Sequence, residues 1–193
     1  MAEIMLFPLS SIVLPEGKMR LRIFESRYKR LVSQAMKADG TFGICMYEQP
    51  SQAGLDELSK IGTLAKVVDF ESLDDGLLGI TVAGVKKFEI ERVRVEYDGL
   101  RYAKVNWLPN WQVSQVDEAT ESVARHLARV YQRFPEVGDL YEQKFLDDQS
   151  WVSQRWLEIL PLSKLQFDSL AAQSDCSEAV TFLNQALFNS TPE

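Results

Sequence analysis

Apolar positions recur mostly at every second residue from the start of the chain to about residue 108, and at every third or fourth residue thereafter. One strand-forming half is therefore followed by one helix-forming half. The cleanest alternation is Lys18-Met19-Arg20-Leu21-Arg22-Ile23, which predicts a strand with Met19, Leu21 and Ile23 on one face and three bases on the other. Residues 61–71 and 77–83 flank Asp74-Asp75-Gly76. The Asp-Gly pair accepts the positive backbone angles of a tight turn, so a β-hairpin is predicted there. One helix interrupts the strands over about residues 25–37, where Tyr28, Leu31, Val32, Ala35 and Met36 share a face before Asp39-Gly40 stops it. Glu48 to Lys60 is polar, contains Pro50 and Gly54, and reads as a surface loop.

The period changes after Trp107-Leu108-Pro109-Asn110-Trp111. Asp117 is placed to cap a helix whose stripe is Thr120, Val123, Leu127, Val130, Tyr131 and Phe134, ended by Pro135. Leu140, Tyr141 and Phe145 suggest a further short helix. Val152, Trp156, Ile159 and Leu160 mark another, stopping before Pro161, and Ser163 and Asp175 are placed to cap two more. The prediction is an α+β chain, with a β-rich lobe over residues 1–115 and a small helical bundle over residues 116–193.

Composition adds a charge asymmetry. The 193 residues are 46% apolar and 25% charged, inside the globular range, with a formal net charge of −7. The first 115 carry 15 bases and 15 acids, and the remainder carries 6 and 13, so the acidity belongs to the second lobe. Such a chain is not built to gather phosphates by long-range attraction. Cys45 and Cys176 lie far apart in apolar surroundings without a Cys-x-x-Cys pair, which favours buried thiols in a reducing compartment over a disulfide. Glu3 stands where a secretory leader carries bases, and the longest near-apolar run, Leu77 to Val85, is less than half of the ~20 residues of a membrane-spanning helix. A cytoplasmic protein without membrane attachment is expected.

Catalytic chemistry finds little to use. The nearest string to a phosphate-binding loop runs from Gly79 to Lys87, but Val85 stands where the lysine belongs and no hydroxyl residue follows. His126 is the single histidine, no Gly-x-Ser-x-Gly elbow accompanies it, and one His with two distant Cys has no metal-ligand spacing. The pairs Asp74-Asp75, Asp117-Glu118 and Asp147-Asp148 sit in turn and helix-end contexts where acids serve structure. No catalytic residue, metal site or cofactor is assigned. Two features remain as binding candidates. Lys18, Arg20 and Arg22, followed by Arg27, Lys29 and Arg30, form a basic patch whose structural alternative is an ordinary solvated face. Trp107 and Trp111 bracket Pro109, where large aromatics serve either as core between lobes or as the wall of a ligand cleft.

The N-terminal motifs carry a resemblance. Phe7-Pro8-Leu9, Val13-Leu14-Pro15-x-Gly17 and Leu21-Arg22-Ile23-Phe24-Glu25-x-Arg27-Tyr28, then Ile61-Gly62-Thr63-Leu64-Ala65 and Gly84-x-x-Lys87-Phe88-x-Ile90, appear in one order. Together with the tail from Leu160 to Leu187 they resemble the Lon protease N-terminal domain, and most of all the short bacterial proteins made of this domain alone. The resemblance implies a PUA-like pseudo-barrel lobe followed by a helical bundle. It also implies a non-catalytic module that recognises unfolded or partner protein, while ATP and peptide-bond hydrolysis belong to other domains of the full protease. With no phosphate-binding loop and 193 residues, those other domains are expected to be absent. Arg20, Arg22, Arg27, Tyr28, Trp107 and Trp111 are the candidate binding residues. Phe24 and Tyr28, four apart, are expected to pin the helix onto the sheet. Because PUA-like folds include RNA-binding modules, the alternative is RNA or DNA binding by the basic strand at 18–22.

Overall fold

The alternating half forms strands β1 (Ala2–Leu9), β2 (Lys18–Ile23), β3 (Thr41–Tyr47), β4 (Leu58–Ser72), β5 (Leu78–Val95) and β6 (Arg101–Trp107), with helix α1 (Ser26–Met36) between β2 and β3. The computed structural model describes residues 2–49, 58–118 and 120–188. The strand order is β2-β5-β4-β3-β1-β6, and β6 returns to pair with β5. Five strands therefore close on themselves, while β2 is added outside the ring and has β5 as its one strand neighbour among the described residues. β1 and β3 run parallel, as the long connection through β2 and α1 allows; the other ladders are antiparallel.

The β4–β5 hairpin turns where Asp74-Asp75-Gly76 predicts, with Gly76 at φ 78° and the Leu73 amide donating to the Leu77 carbonyl. Of the stretch read as a loop, residues 50–57 lie outside the described residues. Leu58 to Lys60 already belong to β4, because Leu58 pairs with Tyr47 of β3. Farther along, Ala65 pairs with Gly84 and Leu64 with Lys86, so Val85 is the extra residue of a bulge. The bulge breaks the alternation: Lys86 is exposed, while Lys87 and Phe88 are both buried. Phe88 lies over Gly62, where a Cβ would come within 2.4 Å of its ring. At Gly84 the backbone of Leu14 passes so close that a Cβ would sit 2.0 Å from its carbonyl oxygen. The small residues of both motifs are thus places of close approach.

The second half forms α2 (Glu121–Arg133), α3 (Pro135–Gly138), α4 (Gln149–Ile159), α5 (Lys164–Ala171) and α6 (Ser177–Phe188). Thr120 occupies the N-cap of α2, and Asp117 acts one turn earlier by accepting the Thr120 amide at 3.0 Å. Ser163 and Gln166 make a reciprocal capping box on α5, and Asp175 accepts the Ser177 amide at 2.9 Å. The short helix expected around Leu140–Phe145 is absent. Pro135 starts a single helical turn that ends at Gly138, and the following chain is irregular. Tyr141 and Phe145 serve as packing: Tyr141 stacks on Tyr131 at 5.6 Å, and both meet Trp151 edge-on.

The chain divides into two compact units, residues 1–109 and 110–193. The division falls before residue 115 because the intervening segment is hydrogen-bonded to the second unit. The Trp111 indole donates to the Gln173 carbonyl at 2.8 Å, the Ser150 hydroxyl to the Gln112 carbonyl at 2.6 Å, and the Gln149 amide to the Ser114 carbonyl at 2.6 Å. In the first unit Leu31, Val32 and Ala35 of α1 pack with Leu21, Ile23, Phe42, Ile44, Ile80 and Val82. In the second, Val123, Leu127 and Tyr131 of α2 join Trp151, Val152, Trp156 and Leu183. Cys45 and Cys176 are buried thiols, and neither is in a disulfide. No helix among the described residues is long and apolar enough to cross a membrane.

Candidate functional site

α1 begins immediately after β2, so the chain reverses at Phe24-Glu25 and brings the first turn of the helix back over the end of β1. Tyr28 lands face to face with Phe7, ring centroids 3.9 Å apart and planes 10° from parallel. Beside this pair lies a groove of about 430 Å³, within the range of ligand-binding clefts. Phe7, Pro8 and Leu9 form one wall, Arg20, Leu21 and Arg22 another. Phe24, Glu25, Arg27 and Tyr28 close one end, and Tyr47 and Arg101 complete the lining. Three consecutive residues of a strand point to alternate faces, so a cavity touching all three abuts the strand's edge. The groove therefore runs along the open edge of β2 and along β1 beyond Leu6, where the pairing of β1 with β6 stops.

Four guanidinium groups rim an aromatic and aliphatic floor. Arg22 is ion-paired with Asp75. Arg27 pairs with Glu25 at 2.7 Å and lies over the Tyr28 ring at 4.9 Å. Arg101 stands 5.9 Å from the Tyr47 ring, and exposed Arg20 makes no ion pair among the described residues. Burial raises the Tyr28 phenol above its usual range, which keeps it neutral and able to donate a hydrogen bond. Glu25 occupies the N-cap of α1 without a side-chain cap bond, its carboxylate being held by Arg27. Phe24 departs from the expectation that it pins the helix. It is 63% exposed on the rim, and of the two aromatics it is Tyr28 that packs on the sheet, through Phe7.

Four of the six sequence-selected residues, Arg20, Arg22, Arg27 and Tyr28, thus line one groove, and the tryptophans do not join them. Trp107 meets Phe88 edge-on at 6.3 Å, with the Lys86 ammonium 5.6 Å from its ring. Trp111 is buried, with its indole on Gln173. Each is anchored inside its own unit. The rest of the basic patch is also dispersed, since Arg30 is drawn to Glu96 and Asp98 in the β5–β6 turn. Pattern reading did not select Phe7, Pro8, Leu9, Phe24, Glu25, Tyr47 or Arg101 as site residues. The signal that could have found most of them is the pair of motifs at 7–9 and 21–28, which the fold brings to the same cavity.

The catalytic near-misses have structural employment. Asp75 accepts the Leu77 amide at 3.0 Å within the hairpin turn. Asp148 caps α4 by accepting the Ser150 amide at 3.0 Å. His126 is exposed, with Nδ1 2.9 Å from the Ser122 carbonyl one turn earlier. The glycine string at 79–84 lies in β5.

A closed ring of strands with an added edge strand, followed by a helical unit, defines a small α+β protein of PUA-like architecture. The chain belongs to the family of ATP-dependent protease La (LON) substrate-binding domains, whose model matches residues 3–184. It is similar to Lon protease of Cytophaga hutchinsonii, with 28% identity over 141 residues, covering 70% of this chain and 16% of that protein. It is also similar to protein cereblon of Danio rerio, with 30% identity over 105 residues, covering 51% of this chain and 23% of that protein. The chain thus spans less than a quarter of the length of either curated relative. Among solved structures it resembles the Lon N-terminal domain protein from Xanthomonas campestris, at a TM-score of 0.72 and 29% identity over 95% of this chain and 97% of that one. The N-terminal domain of Mycobacterium avium complex Lon protease shares the fold, at a TM-score of 0.64 and 16% identity over 94% of this chain and 96% of that one.

Proposed function

We propose that this chain is a non-catalytic polypeptide-recognition module that holds unfolded or partner protein in the groove beside Tyr28. Family membership supports substrate recognition as the general role. The observation that carries the specific reading is the convergence of Arg20, Arg22, Arg27 and Tyr28 with the motif residues Phe7, Pro8 and Leu9 around one cavity. An apolar floor with a polar, charged rim suits a side chain desolvated at the centre of a contact and held at its margins. The two buried thiols suit a reducing compartment such as the cytoplasm. Nucleic acid is the less favoured occupant, because the Tyr28 ring, on which a base would stack, is covered by Phe7 and Arg27.

A photo-crosslinking side chain installed at exposed Arg20 or Phe24 tests this with a reduced, unfolded test protein. Adducts are expected from these positions and not from exposed Glu178 on α6. Equal yields from all three positions, or cleavage of casein by the purified chain alone, would overturn the reading.

A further inference from the structure

The open edge of β2 and the charge of the groove rim specify a narrower occupant. This inference rests on the reading of the groove as a polypeptide site and names the class of polypeptide. We infer that the groove takes an extended acidic segment that adds as a strand along β2, placing one apolar side chain on the floor beside Tyr28 and its flanking Asp or Glu side chains on the arginines.

Three observations lead there. First, β2 has β5 as its one strand neighbour among the described residues, so its other edge presents main-chain N–H and C=O groups in strand register. The consecutive residues Arg20, Leu21 and Arg22 all line the cavity, which places that edge in the groove wall. Second, the rim has four guanidinium groups against two carboxylates, Glu25 in the lining and Asp75 paired with Arg22, so the balance is positive and an anionic segment is attracted while a cationic one is repelled. Arg20 is exposed and has no ion pair among the described residues, and the pairs of Arg22 and Arg27 are partly exposed and open to exchange with an incoming carboxylate. Third, the floor is apolar but its aromatic faces are occupied. Phe7 and Tyr28 stack on each other, Arg27 covers Tyr28, and Arg101 stands over Tyr47. Base stacking along a nucleic-acid strand needs successive open aromatic faces, and in this lining exposed Phe24 on the rim is the aromatic left uncovered, whereas an aliphatic or aromatic side chain of a peptide needs only the crevice.

The test uses the full chain and labelled synthetic peptides, read by fluorescence anisotropy: a central Phe-Leu flanked by glutamates, the same centre flanked by lysines, and the glutamate peptide with alternate backbone amides methylated. The glutamate peptide is expected to bind at least about tenfold more tightly than the lysine peptide, with affinity falling as salt rises. Methylation, which removes strand-pairing donors, is expected to reduce binding by a similar factor. Arg20→Glu is expected to abolish the charge preference, and Phe24→Ala to weaken all peptides alike; both positions are exposed and the fold is checked by circular dichroism. Equal affinity for both flanking charges with binding still lost in Phe24→Ala overturns the acidic preference and leaves the polypeptide groove standing. Unchanged affinity of the methylated peptide overturns strand addition. Tighter binding of single-stranded RNA than of any peptide, or no peptide binding in a folded protein, overturns this inference together with the reading beneath it.

Discussion

Tyr28 of α1 stacks on Phe7 of β1 at 3.9 Å, a contact that adds to the packing of Leu31, Val32 and Ala35 in holding the helix to the barrel and also lines the groove. Phe24, four residues earlier, points outward instead. Tyr28→Ala is therefore expected to cost about 2 kcal/mol in urea unfolding, and Phe24→Ala less than about 0.5 kcal/mol. Tyr28→Phe keeps the stack and is expected to stay near the parent. Equal losses for the two alanine variants would show that the stack on Phe7 adds nothing to the attachment of the helix.

The glycines separate close approach from backbone angle. Gly84→Ala puts a Cβ 2.0 Å from the Leu14 carbonyl oxygen and Gly62→Ala puts one 2.4 Å from the Phe88 ring. Each is expected to cost more than about 2 kcal/mol, because backbone or core must move. Gly76 has φ 78° with nothing within 4 Å, so Gly76→Ala carries only the left-handed penalty of roughly 1 kcal/mol. Thermal unfolding of the three variants gives the order directly.

Lys87 is buried at 1% exposure beside the bulge, and burial pushes its ammonium down to about 8. The unfolded chain keeps that proton until about pH 10.4. Between these values the unfolded state holds a proton the folded state has released, so stability rises with pH from about 8 and is flat below it. The full rise is up to roughly 3 kcal/mol. Tyr28 and Tyr131, both raised by burial, act with the opposite sign from about pH 10 upward, and the Cys176 thiol, also raised by burial, from about pH 8.5, so the lysine's part is the difference between the parent and Lys87→Met. Urea unfolding from pH 7 to 9.5 is expected to show the rise, and Lys87→Met to remove it while stabilising the protein at pH 7. Parallel pH profiles for the parent and Lys87→Met would refute the assignment.

Asp148 joins two segments of the second unit. Its carboxylate accepts the Ser150 amide at 3.0 Å, capping α4, and the Ser114 amide at 3.1 Å, tying down the strap at 110–115. Asp148→Ala is expected to cost about 1–2 kcal/mol, and Asp148→Asn, which retains an acceptor, less than half of that. Hydrogen exchange at the Ser114 and Ser150 amides reports the two losses separately.

Where local physics suffices, the pattern of residues was informative. Alternation in Lys18–Ile23 gives β2 its buried Leu21 and Ile23 and exposed Arg20 and Arg22, and Asp-Gly at 75–76 marks the hairpin turn. Leu140, Tyr141 and Phe145 misled because aromatic residues at helical spacing also serve a packed irregular segment, and only the neighbouring Trp151 and Tyr131 distinguish the two. The burial of Lys87 was invisible for a similar reason. A bulge depends on how two strands pair, and neither strand records that alone.

The sequence by itself determined the kinds of element, their order and the family, because periodicity, turn chemistry and capping act over a few residues and leave their mark in those residues. The tertiary structure alone decided that β6 returns to β5, that β2 keeps an open edge, and that residues near 7, 20–28, 47 and 101 meet around one groove. The physical reason is that a closed ring of strands makes neighbours of positions widely separated along the chain. No local pattern can report a cavity whose walls come from four such segments.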